Sequence, residues 1–94
     1  MASREITVTV EVSMYPLLED VEPPIVAFIR ALRVQPGIRI VTNAMSTQLS
    51  GPFSQVQRAL NHCMETVLAG PDKVLFVTKT LNIDLPIEQT PVLD

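Results

Sequence analysis

The chain has no tryptophan, one tyrosine, three phenylalanines, one cysteine and three glycines in 94 residues. Each scarcity excludes something. Without aromatic bulk, the core must be built from Val, Ile, Leu and Met. With Cys63 alone, no internal disulfide can form. Small domains of oxidising compartments lean on paired cysteines, so a reducing cytoplasm is the expected location. So few glycines leave no Gly-rich loop to cradle a phosphate. Cations are sparse too: seven Lys and Arg stand against ten Asp and Glu, for a net charge of -3. Neutralising several phosphates takes clustered basic side chains, and none cluster here, so no nucleic-acid partner is expected. No apolar run approaches the roughly 20 residues of a membrane helix. Met1 to Glu5 leads straight into a strand-like pattern, without an apolar signal core. No membrane partner is expected.

What is present suits one small domain. Apolar residues make up 47% of the chain, enough for a single core. The expected domain spans residues 1–84, followed by an irregular tail over 85–94 that carries two prolines and two acids.

Ile6 to Met14 alternates. Ile6, Val8, Val10, Val12 and Met14 share one face; Thr7, Thr9, Glu11 and Ser13 share the other. That period is a half-buried strand. Pro23 and Pro24 suit the first turn of a helix, where backbone donors lack partners. Ile25, Phe28, Ile29 and Leu32 follow as its apolar stripe, which ends at Gln35-Pro36-Gly37. Ile38–Asn43 and Ser46–Ser50 read as an antiparallel hairpin. Ser54 and Gln57 fit a capping box for a second helix. Its stripe is Val56, Ala59, Leu60, Cys63, Met64 and Val67, and Gly70-Pro71 stops it. Lys73–Ile83 reads as the last strand. The order βαββαβ predicts an α+β, ferredoxin-like sandwich: an antiparallel sheet with two helices on one face.

Such a fold leaves one sheet face uncovered. Thr7, Thr9, Glu11 and Ser13 are expected there, with Val41, Asn43, Thr47 and Leu49 from the hairpin. Val77 and Lys79 join them from the last strand, or Phe76 and Thr78 if the register differs by one. This mixture is too apolar for plain solvation. A homo-oligomer, dimer or tetramer, packed through the open face is therefore expected.

Few residues suggest chemistry. Glu11 sits mid-strand, where a carboxylate is unusual. It reads either as an acceptor for a cationic ligand or as a salt-bridge partner of Lys79. His62 falls on the polar side of the second helix, without companions for a metal site. Cys63 and the methionines read as packing. Neither catalytic residues nor a metal nor a cofactor is expected.

Two segments and one lysine carry a family resemblance. Glu11-Val12-Ser13-Met14-Tyr15-Pro16-Leu17 ends the first strand. Asn43-Ala44-Met45-Ser46-Thr47 lies in the hairpin, followed by Gly51 and Phe53. Lys79 lies in the last strand. With this order of elements, the chain resembles the thiamine-binding, YkoF-like family over about Ile6 to Ile83. It departs at Asn43-Ala44, where the family often has Gly-Pro. The resemblance implies a ferredoxin-like fold and sheet-mediated homo-oligomers. It also implies non-catalytic binding of thiamine or its hydroxymethylpyrimidine moiety at the sheet or subunit interface. The residues it implicates are Glu11, Ser13, Tyr15, Asn43, Met45, Ser46, Thr47 and Lys79. Their hydroxyls, amide and carboxylate match the donors and acceptors of an aminopyrimidine. Tyr15 offers a face to a thiazolium cation. The alternative is an oligomeric, ACT-like regulatory or structural module for another small metabolite. An acylphosphatase-type enzyme would share the fold, but its phosphate-cradling Arg and loop are absent.

Overall fold

A computed structural model of the chain describes residues 5–93. The first four residues, which include most of the leader segment considered above, lie outside it. The elements run β1 (Thr7–Pro16), α1 (Glu22–Arg33), β2 (Arg39–Thr42), β3 (Thr47–Pro52), α2 (Phe53–Leu68) and β4 (Val74–Leu81). The strands form one antiparallel sheet in the order β2-β3-β1-β4. The βαββαβ sandwich is thus a ferredoxin-like α+β fold, with both helices on one side.

The alternation in β1 divides the sheet into two faces. Val8, Val10, Val12 and Met14 are buried against the helices, together with Leu49 of β3. Phe28 and Leu32 come from α1, and Val56, Ala59, Leu60 and Cys63 from α2. Phe28 also meets Phe76 of β4, with ring centroids 5.0 Å apart at a tilt of 50°, a favourable aromatic geometry. Burial pushes the Cys63 thiol up, as an inert packing role requires. His62 is exposed on α2.

The hairpin register corrects one expectation. Thr47 lies opposite Val12 and Leu49 opposite Val10, so both face the helices rather than the open side. Gln48 and Ser50, opposite Glu11 and Thr9, take the open-face positions. The cause is a register slip of one residue, which exchanges the faces of a strand. On β4, Val77 pairs with Ser13 and Lys79 with Glu11, so the first of the two registers considered is the observed one.

Two local expectations also change. Ser54 does not cap α2; the helix starts at Phe53, after Pro52, without a side-chain cap from its own first turn. Instead the Glu5 carboxylate, 49 residues away in sequence, accepts from the Ser54 amide at 3.0 Å and from its hydroxyl at 2.6 Å. These bonds hold the Glu5 carboxyl below the usual range. At the end of α1, Gly37 takes a φ of 78°, and a Cβ there would collide with the Gln55 side chain. Met45, read as packing, sits 85% exposed at the hairpin tip.

The described residues beyond β4 form no helix or strand, but they are not a free tail. Thr9 Oγ1 donates to the Ile83 carbonyl at 2.7 Å and accepts from the Leu85 amide at 3.0 Å. The Ser50 hydroxyl lies 2.9 Å from an Asp84 carboxylate oxygen and 3.1 Å from the Val8 carbonyl. Arg39 pairs with Asp84 and Glu88 and reaches the Leu85 carbonyl at 3.2 Å. These contacts lie on β1, β3 and β2 in turn, so the segment crosses the open face.

Candidate functional site

The β2–β3 turn is built by Asn43. Its Oδ1 accepts from the Met45 amide at 2.9 Å and the Ser46 amide at 3.1 Å, while its own amide donates to the Ser46 carbonyl at 3.0 Å. Asn is suited to this because its short side chain imitates a backbone turn. The departure Asn43-Ala44 from Gly-Pro therefore has a structural role. With Oδ1 closing the turn, Nδ2 is the group Asn43 has left to offer a ligand.

The turn stands over a small cavity of about 130 Å³. Its walls are the end of β1 from Val12 to Tyr15, the α1 residues Ile25, Phe28 and Ile29, and the hairpin from Thr42 to Thr47. The lining is mainly aliphatic and aromatic, with a few hydroxyls, the usual make-up of a small-ligand pocket. Thr42 and Thr47, cross-strand partners on the helix-facing side, place their hydroxyls 3.1 Å apart. Thr47 is buried and Thr42 half-buried. Thr42 was missed by sequence reading. The available signal was its place directly across the hairpin from Thr47, which only the correct register reveals.

Of the eight residues implicated by sequence, six line this cavity: Ser13, Tyr15, Asn43, Met45, Ser46 and Thr47. Glu11 and Lys79 do not. They form a pair on the open face at 3.5 Å. Glu11 still touches the site indirectly, because the Ser46 hydroxyl donates to its Oε2 at 2.8 Å. That bond, more than the Lys79 charge, holds the Glu11 carboxyl below its usual range against a small opposing cost of burial. Glu11 stays ionised at neutral pH and fixes the Ser46 hydroxyl as a donor, so Ser46 Oγ presents its lone pairs to anything else nearby.

Asn43 is shared with a second, wider space of about 690 Å³, where Val41, Asn43 and Gln48 face the segment from Leu85 to Val92. Among the described residues, no three His, Cys, Asp or Glu side chains converge as metal ligands. No described helix is long and apolar enough to cross a membrane.

Solved structures share this architecture. The hypothetical protein MJ1052 of Methanocaldococcus jannascii is 28% identical over 83% of this chain and 81% of its own, with a TM-score of 0.71. The Bacillus cereus domain of unknown function DUF77 is 23% identical over 85% of this chain and 79% of its own, with a TM-score of 0.70. Both are similar to this chain across most of its length and share its fold. A third structure is the Thermotoga maritima protein provisionally described as one of thiamine biosynthesis or salvage. It is 15% identical over 92% of this chain and 90% of its own, with a TM-score of 0.67. At the lower identities the likeness is one of fold. Neither a family model nor a curated protein sequence matches the chain.

Proposed function

We propose that this chain is a non-catalytic binding protein for thiamine or its hydroxymethylpyrimidine moiety. The observation that carries the reading is the cavity beneath the β2–β3 turn, with its aromatic and aliphatic walls and its Thr42–Thr47 hydroxyl pair. A dry cavity of roughly 150 Å³ takes one benzene-sized ring. At about 130 Å³ this one suits the pyrimidine and not both rings of thiamine. The hydroxyls and the Asn43 amide can meet the ring nitrogens and the exocyclic amine. A thiazolium would then lie at the mouth, near the exposed Met45. The Thermotoga protein of the same fold, with its provisional link to thiamine, supports the choice of ligand.

Calorimetric titration with thiamine and with hydroxymethylpyrimidine tests this. Both are expected to bind, and the free pyrimidine is expected to retain most of the affinity. No heat and no thermal shift with either at millimolar concentration would remove the proposal.

The same reading includes a second copy of the chain on the open sheet face. Tyr15, Leu75 and Val77 form an exposed apolar row there, on facing positions of β1 and β4. Light scattering is expected to give a mass above that of one 10.4 kDa chain at micromolar concentration.

A further inference from the structure

The segment from Ile83 to Glu88 covers one end of the open face and leaves the other bare. At the covered end, Thr9 is 7% exposed and Ser50 fully buried. At the bare end, Tyr15, Leu75 and Val77 are 50%, 55% and 43% exposed. The boundary runs close to the Glu11–Lys79 pair, two residues along β1 from Thr9.

What holds the segment is nearly all polar. Ile83 and Leu85 remain exposed, and only Ile87 is half-buried. Its anchors are the hydroxyls of Thr9 and Ser50 and the guanidinium of Arg39. All three can return to water when the segment lifts, so release strands no buried polar group. Exposed ion pairs hold weakly and are screened by salt. An element with few apolar contacts opens at a lower free energy than the sheet beneath it.

We propose that Ile83–Glu88 is a releasable strap, clasped by Arg39, that limits how much of the sheet face a second copy of this chain can occupy. The inference rests on the reading of the open face as a self-association surface. Charge favours a second copy as the occupant. Glu11 and Lys79 lie side by side across β1 and β4, and a two-fold axis running along the strands between β1 and β4 would set each copy's Lys79 against the other's Glu11. With the strap in place, two copies meet over the β1–β4 end alone. With it lifted, the contact extends across Thr9, Ser50 and Gln48 toward β2.

The test uses the full chain with Arg39→Ala, and separately with Asp84→Asn and Glu88→Gln together, which keeps side-chain shape while removing the clasping charges. Self-association is followed by sedimentation across concentration, and strap release by hydrogen exchange at the Leu85 amide. Both variants are expected to exchange faster at Leu85 and to associate at about tenfold lower concentration than the wild type. Association unchanged or weaker in both overturns the strap. Val77→Asp separates the two ideas. If it leaves wild-type association untouched, the sheet-face reading itself fails. If it abolishes association while the clasp variants change nothing, only the strap fails.

Discussion

The two faces of one sheet are held by different physics. On the helix side, β1 contributes Val8, Val10, Val12 and Met14, each at most 8% exposed. Their burial is non-directional and scales with the area removed from water. On the open side the same strand contributes Thr9 and Glu11, which are held by directional bonds to Ile83, Leu85 and Ser46. The first arrangement resists dissection, because deleting any member leaves a cavity. The second can be taken apart group by group, because water can replace each partner. The lesson is that the helix face sets whether the chain folds, and the open face and its rim set what the folded chain can meet.

Truncation on the helix face should have the largest effect. Leu49→Ala removes a fully buried side chain from the centre of β3. It is expected to cost about 2–5 kcal/mol, read by denaturant unfolding, because the sheet and α2 cannot collapse into the void. A cost below that of an open-face variant would break the contrast between the faces.

Next is the cavity between the two regimes. Thr47→Val keeps the side-chain shape and removes the hydroxyl facing Thr42. Stability should change by about 1 kcal/mol. Affinity for hydroxymethylpyrimidine should fall about tenfold, since a buried polar partner is then missing. Equal affinity in the two proteins would show that the hydroxyl pair does not read the ligand.

On the open face, Glu11→Gln should matter less. The fold lowers the Glu11 pKa, chiefly through the Ser46 hydroxyl. The ionised form is therefore the one the fold favours. Its contribution is complete above the unfolded value of about 4.3 and disappears as pH falls through the lower folded value. Comparing unfolding at pH 7 and in that acidic window should show this loss in the wild type and not in the variant. Glu11 is 41% exposed, so the difference should be about 0.5 kcal/mol or less.

The smallest effect is expected at the edge of the sandwich. Glu5→Gln should leave the fold intact and speed hydrogen exchange at the Ser54 amide, which the carboxylate now holds. Unaltered exchange would mean that α2 needs no cap from β1's leading end.

Sequence periodicity by itself determined the elements. Alternation over Ile6–Met14 and the i, i+3, i+4 stripes of both helices allow one arrangement of apolar faces, and a sheet with two helices on one side satisfies them together. The motif residues at the end of β1 and in the hairpin were legible for the same reason: they lie within a few residues of well-marked elements. The tertiary structure decided what depends on register and on contacts distant in sequence. Alternation says that Thr47 and Leu49 share a face, but not which one; pairing with Val12 and Val10 settles it. Local spacing offered Ser54 a capping box, yet the Glu5 carboxylate reached the helix end first in space. The segment after β4 has no periodicity to read. Its course is fixed by single hydrogen bonds to Thr9, Ser50 and Arg39, and partners 34 to 76 residues apart leave no local pattern in a sequence.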